Sequence, residues 1–327
     1  LRSEEPFIVL DNIDTDEIRL CIRVAKLYYE GGLTQSQIGK KMNISRVSVH
    51  RILKRATELG LVKIMIYEPE DSFIEVENRL ILKYDLRDAI IVPDPAEGMS
   101  LYSILARGAV QWLEKKLTDG MRIGLGLGRT ISHLPEDFHP IRQTDCSFTE
   151  VVGGASEHSG GVTKYNITSK MAELAGGRAE LFYAPNTISD PALYKQLVQE
   201  TSIKNALNRA RSCDIVLQSI GVVNENHILY VEDAMTKEEL TQLSQSRAVG
   251  DALGRYFDCD GQQVNTFMDN RVIGIGLEDL KKIPWSVVVA GGESKNEVLR
   301  AALKTGCFNV VVTTHSTGSA LLAESDQ

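Results

Sequence analysis

Residues 25–56 read AKLYYEGGLTQSQIGKKMNISRVSVHRILKRA, and this stretch decides how the N-terminal part of the chain folds. Just upstream and into it, Leu20, Val24, Leu27 and Tyr28 recur at helical spacing between Ile18 and Tyr29. Gly31-Gly32 ends that helix, because glycine past a helix C-terminus accepts the left-handed conformation. Thr34, with Gln37 three residues on, forms a capping box and opens a second helix striped by Ile38 and Met42. Asn43-Ile44 makes a short turn, and Ser45 caps a third helix. In that helix Val49, Ile52, Leu53 and Ala56 face inward, and Gly60 terminates it. Arg46, Ser48, His50, Arg51 and Lys54 are left on the outside. Helix, tight turn, and a capped helix with a polar-basic face is helix-turn-helix geometry. The second helix of such a pair enters the major groove of DNA by its N-terminal end. Arg46, Ser48 and His50 are expected nearest the base edges, and Lys54 and Arg55 at phosphates. Thr34, Gln35, Ser45 and Arg51 complete the expected DNA-binding set. Leu61 to Ile66 reads as a short strand, a wing.

Charge distribution supports this reading. Residues 20–66 hold nine Lys and Arg against two acids, a net +7, which leaves −15 for the rest of a chain whose formal charge is −8. A small basic module on an acidic body is built to meet a polyanion through the module alone. At 327 residues the chain suits about two domains and needs no disulfide or metal to fold. The 43% hydrophobic and 24% charged content excludes disordered and fibrous classes. No apolar run approaches the roughly 18–20 residues that span a bilayer. No basic and apolar leader is seen at the start of the sequence, so a cytoplasmic protein with no membrane partner is expected. Five scattered cysteines with no C-x-x-C pair agree with a reducing compartment.

Beyond the module, Glu68-Pro69-Glu70-Asp71 marks a boundary. Phe73 to Tyr84 is an amphipathic helix, expected to tie the module to the body or to pair with a second subunit. Apolar runs at 89–92, 121–127, 149–152, 179–183, 215–220, 272–275, 286–290 and 309–313 then alternate with helical patterns near 101–117, 162–175, 191–211, 236–254 and 294–304. Continuous apolar strands separated by helices mean an α/β, doubly wound parallel sheet covered on both faces. Three glycine-rich turns follow strands: Gly124-Leu125-Gly126-Leu127-Gly128-Arg129-Thr130, Gly153-Gly154, and Gly291-Gly292-Glu293-Ser294-Lys295. Glycines allow tight strand-to-helix turns in any protein. Three in one body, one with a lysine, favour a crevice that offers backbone N–H groups to an anion.

Other chemistries find little support. The first loop lacks the spacing of a Walker A motif or a dinucleotide fingerprint. There is no G-x-S-x-G or H-E-x-x-H, and the six histidines show no ligand spacing, so neither a metal nor a cofactor nor a catalytic set is expected. Asp258-Cys259-Asp260-Gly261 reads as a hairpin turn after Tyr256-Phe257, since no Glu stands at the twelfth position of a calcium loop.

From about residue 18 to 323 the chain resembles the SorC family of bacterial sugar-responsive transcriptional regulators. The resemblance rests on residues 25–38, on Ile44-Ser45-Arg46 leading into Arg51-Ile52-Leu53-Lys54-Arg55-Ala56, and on the loop from Gly124 to Thr130. It continues through Val152-Gly153-Gly154, Ala248-Val249-Gly250-Asp251 with Tyr256-Phe257-Asp258, and Ala290 to Lys295. It implies an N-terminal tail (1–17), a helix-turn-helix DNA-binding domain (18–67), a linker helix (68–85) and a Rossmann-like effector and oligomerisation domain (86–327) similar to phosphosugar isomerases. It also implies a homo-tetramer that binds double-stranded operator DNA and is controlled by a phosphorylated sugar or polyol. Carried onto this chain, the phosphate meets Gly126, Gly128, Arg129, Thr130 and Lys295, with Gly153 and Gly154 beside them. The hydroxyls meet Asp251, with Asn166 as a further candidate. Two other readings stand at this point. One is a phosphosugar isomerase-like enzyme fused to a DNA-binding module, although no carboxylate base can be placed. The other is a scaffold whose basic module docks an acidic protein.

Overall fold

The computed structural model describes residues 15–62, 72–154, 164–225, 227–231 and 235–323. The chain divides between Glu70 and Asp71 into two compact units.

Among its described residues the first unit holds three helices: α1 (Thr15–Ala25), which runs into a π-turn over Lys26–Glu30, α2 (Gln35–Met42) and α3 (Arg46–Glu58). The caps are those the sequence signals. Gln37 N–H donates to Thr34 Oγ1 at 3.3 Å, and Thr34 N–H to Gln37 Oε1 at 2.8 Å. Ser48 N–H donates to Ser45 Oγ at 3.0 Å. Between α2 and α3, Asn43 takes the left-handed conformation at φ +55°. Gly39 lets the turn close, because a Cβ there would lie 2.7 Å from the Ile44 carbonyl oxygen. Cys21, Val24, Ile38, Val49, Leu53 and Ala56 form one small core. Leu61 and Val62 pack against that core and take no strand conformation, and the rest of the expected wing lies outside the described residues.

The second unit opens with α4 (Ile74–Tyr84), β1 (Asp88–Val92), α5 (Leu101–Lys116), β2 (Arg122–Leu125), α6 (Arg129–Ser132) and α7 (Leu134–Asp137). It continues with β3 (Ser147–Glu150), α8 (Lys164–Ala175), β4 (Arg178–Glu180), α9 (Pro191–Leu197), α10 (Thr201–Arg211) and β5 (Ile215–Gln218). Next come β6 (Gly221–Val222), α11 (Ile228–Val231), α12 (Lys237–Ser244), β7 (Gly250–Ala252), β8 (Arg255–Phe257) and β9 (Gln263–Val264). Last are α13 (Leu277–Leu280), β10 (Trp285–Val289), α14 (Asn296–Lys304), β11 (Val310–Thr314) and α15 (His315–Leu322).

Seven strands form one parallel sheet in the order β1-β11-β10-β5-β2-β3-β4. Its central strands are buried along their length, β5 and β11 completely, as expected for strands covered on both faces. From β2 the chain winds outward to the β4 edge, and from β5 it winds the other way through β10 and β11. Strand order therefore reverses between β2 and β5, the place where open α/β sheets make a crevice. Between β5 and β10 the chain inserts a second, antiparallel sheet, β6-β7-β8-β9.

Several expectations are corrected. The helix expected as a linker packs on β1 and α15 within the second unit. Its Glu77 Oε1 accepts the Ile91 N–H at 3.0 Å, and its Tyr84 hydroxyl donates to the Leu321 carbonyl at 3.0 Å. The helical pattern at 236–254 stops at Ser244, and its last part becomes β7, where Gly250 fits under Val298 with no room for a Cβ. The pattern at 191–211 breaks into α9 and α10. Residues 272–275 join no sheet and make single bridges from Val272 to Thr187 and from Gly274 to Val152. The hairpin turn at Asp258 is as expected, with its carboxylate accepting the Asp260 and Gln262 N–H groups. Among the described residues no helix is long and apolar enough to cross a membrane.

Candidate functional site

A cavity of about 310 Å³ opens at the switch between β2 and β5. Its walls are the turn Leu127 to Thr130 after β2, the segment Gln218 to Val222 after β5, and Ser294-Lys295 after β10. The β7–β8 turn of the small sheet closes the remaining side with Asp251, Leu253 and Gly254.

Positive charge lines part of the cavity wall. Gly128 has φ +131°, and a Cβ on it would sit 2.8 Å from the Ser219 Cβ, so only glycine fits this turn. The N–H groups that follow belong to the first turn of α6, where they have no intrahelical acceptor. Thr130 is buried, and Arg129 lies exposed with its guanidinium 5.1 Å from the centre of the Tyr102 ring. The Lys295 ammonium donates to the Ile220 carbonyl. Burial lowers the Lys295 pKa to about 8, with Arg129 adding to the fall and Asp251 resisting it.

The same cavity carries a buried polar group that sequence reasoning found only in part. Asp251 was expected, but its partners His227 and Tyr256 were not. His227 Nδ1 accepts the Leu229 N–H at 3.2 Å, so its Nε2 carries the proton and donates to Asp251 Oδ1 at 3.0 Å. The second Asp251 oxygen accepts the Gly254 N–H at 2.8 Å, and the Tyr256 hydroxyl lies 3.4 Å from His227 Nε2. Burial works to raise the Asp251 pKa. The His227 ring, the Gly254 N–H and the Lys295 charge outweigh it and hold the carboxyl below its ordinary value. Asp251 is therefore an ionised, oriented acceptor with lone pairs to spare.

Of the expected effector residues, Gly128, Arg129, Thr130, Asp251 and Lys295 line this cavity. Three others do not. Gly126 lies behind the wall, its N–H donating to the Leu217 carbonyl, and its missing Cβ makes room for the Gln218 amide. Gly153 and Gly154 pair their N–H groups with the Ile273 and Ala184 carbonyls, and a Cβ on Gly153 would lie 2.4 Å from the Pro185 carbonyl oxygen. Those two glycines serve close backbone packing. Asn166 stands in α8, but its side chain lies outside the described residues. No three His, Cys, Asp or Glu side chains gather as a metal site among the described residues.

On the first unit, Arg46, His50, Arg51 and Lys54 are all exposed on α3, and Thr34 and Gln35 stand at the start of α2. Ser45 and Ser48 are occupied by the cap, their hydroxyls 2.9 Å apart. Arg55, expected at a phosphate, instead pairs with Glu17 of α1 at 3.0 Å and with Glu58 at 3.7 Å. It ties helices together.

Residues 69–323 match the family described as "Putative sugar-binding domain", and residues 20–58 match "Sigma-70, region 4". The structure is similar over 94% of this chain to the full-length sorbitol operon regulator SorC of Klebsiella pneumoniae, covering 100% of that chain with a TM-score of 0.73 and 25% identity. The chain belongs to the SorC family of transcriptional regulators. The "Deoxyribonucleoside regulator" of Bacillus subtilis is 28% identical to this regulator over 95% of this chain and 99% of its own. The "Transcriptional regulator LsrR" of Escherichia coli K12 is 29% identical over 92% and 93%. A solved "Putative Sugar-Binding Domain of Transcriptional Repressor" from Vibrio fischeri covers 76% of this chain and 98% of its own, with a TM-score of 0.71 and 29% identity. The matches to SorC, the deoxyribonucleoside regulator and LsrR each cover more than nine tenths of this chain, and all four carry the names of regulators. The protein is a DNA-binding regulator with a sugar-binding domain, and the isomerase-like alternative finds no support in them.

Proposed function

We propose that this regulator is a cytoplasmic homo-tetramer that binds double-stranded operator DNA through α3. A phosphorylated sugar or polyol in the second-unit cavity changes that affinity. The carrying observation is that cationic donors and an ionised acceptor line one cavity. Arg129, Lys295 and the N–H groups after Gly128 suit a phosphate, and Asp251 suits hydroxyl donors. A carboxylate would repel a phosphate and a lysine offers hydroxyls no acceptor, so the two kinds of group fit two parts of one ligand. Relatives named for a deoxyribonucleoside and a sorbitol operon support the sugar or polyol class. Twofold symmetry doubles the DNA read by one helix-turn-helix, which supports an even oligomer.

Titration calorimetry with pentose, hexose and polyol phosphates, each beside its unphosphorylated parent, tests the ligand. Only phosphorylated compounds should bind and shift the operator complex in gels. Lys295→Ala and Asp251→Ala should bind operator as the parent does and ignore the compound, because a ligand shifts an equilibrium only by its differential affinity. Equal binding of an unphosphorylated parent removes the phosphate from this reading. A monomer mass at every concentration in light scattering removes the tetramer.

A further inference from the structure

We propose that Val47 reads the 5-methyl group of a thymine in the major groove, an inference that rests on DNA binding by α3. The sequence pattern assigns the base-reading face to Arg46, Ser48 and His50, but the folded helix presents a different set. At roughly 100° per residue, Val47, Arg51 and Lys54 fall within about 60° of one another, opposite the buried Val49, Leu53 and Ala56. His50 completes this face, three residues on from Val47. Arg46 and Ser48 fall toward its flanks, and the Ser48 hydroxyl turns to Ser45 at the cap.

Val47 is thus an apolar side chain at the centre of a basic face, and it is 76% exposed. It stands in the first turn of α3, whose N-terminal residues approach base edges in this geometry. The other apolar side chains of the helix serve the core: Val49, Leu53 and Ala56 are buried, and Ile52 is packed against them. A branched hydrocarbon among arginine, histidine and lysine adds nothing to phosphate binding. In the major groove it has one apolar counterpart, the methyl group that separates thymine from every other base. Arg51 and His50 beside it supply donors for neighbouring acceptors, and Lys54, one turn on, a charge for the backbone.

Selection from a random duplex library with the full-length chain gives the bound sequence. Each thymine is then replaced singly by uracil, which lacks only the methyl. The parent should lose about fourfold in affinity at one thymine per half-site, the worth of about one buried methyl. Val47→Ala should bind thymine and uracil duplexes alike, while its binding to random DNA and the salt dependence of that binding stay as in the parent. Equal thymine-to-uracil losses in both proteins, or no discriminating thymine in the parent, overturn the inference and leave DNA binding standing. Selection of no sequence by the parent overturns DNA binding and the inference with it. A changed oligomeric mass in Val47→Ala, with methyl dependence retained, assigns the side chain to a protein contact.

Discussion

Burial holds the Lys295 ammonium at a pKa of about 8, below its ordinary 10.5, with Arg129 lowering it further and Asp251 raising it. In the free protein this charge is therefore present below pH 8 and lost as pH rises through that value. A bound phosphate, whose second pKa is about 6, is a dianion throughout that range and would raise the lysine pKa again. Binding between pH 8 and 9 should then take up a proton, and affinity should fall as pH rises past 8. Calorimetry in buffers of different ionisation enthalpy measures the uptake directly. Lys295→Arg, whose guanidinium stays charged, should show neither the uptake nor the fall. A pH-independent affinity in the parent would remove Lys295 from the phosphate. Glycine turns after strands made Lys295 and the loop that carries Arg129 legible in the sequence, whereas Asp251 came from the family resemblance alone, because its segment reads as helix and folds as β7. His227 was not legible. It lies 24 residues before Asp251, and nothing local announces that the small sheet will bring them to 3.0 Å. Gly153-Gly154 misled for a related reason. A glycine pair states that something approaches the backbone, and here the neighbour is the Pro185 carbonyl.

Elements held by local chemistry were the legible ones. The caps at Thr34 and Ser45 act within three residues, so α2 and α3 follow from a short window. Strands β6 to β9 are two or three residues long and make their pairs with each other, which leaves no run for alternation to mark. Arg55 shows the same limit, since the helix wheel exposes it but only the packing of α1 gives it Glu17. That difference separates two adjacent cations. Lys54→Ala should weaken operator and random DNA together and flatten the salt dependence by about one unit of slope. Arg55→Ala should leave the slope unchanged and destabilise only the first unit. The exposed pair with Glu17 contributes little, because solvent screens it. Filter binding across a salt series distinguishes them, and equal slopes for both variants would place Arg55 on the DNA after all.

The two units carry separate cores, that of the first being small, and they need not melt together. The chain holds two tryptophans, Trp112 and Trp285, and both belong to the second unit, in edge contact at 5.7 Å. Tryptophan fluorescence therefore follows that unit alone, whereas far-ultraviolet circular dichroism also follows the helices of the first. The cavity is built wholly from the second unit. A sugar phosphate at about 100 times its Kd adds roughly 2.7 kcal/mol to the state that binds it. For a unit of this size that raises the midpoint by about 5–10 °C. The fluorescence transition should move by that amount, and the circular dichroism should split, its lower-melting helical part staying in place. Operator DNA should do the reverse and raise the helical part, because α3 belongs to the first unit. Communication between the sites would then appear as a smaller, reciprocal shift of each transition by the other ligand, of the same coupling free energy in both directions. One coincident transition, moved equally by either ligand, would instead mean that the regulator unfolds as a single cooperative body.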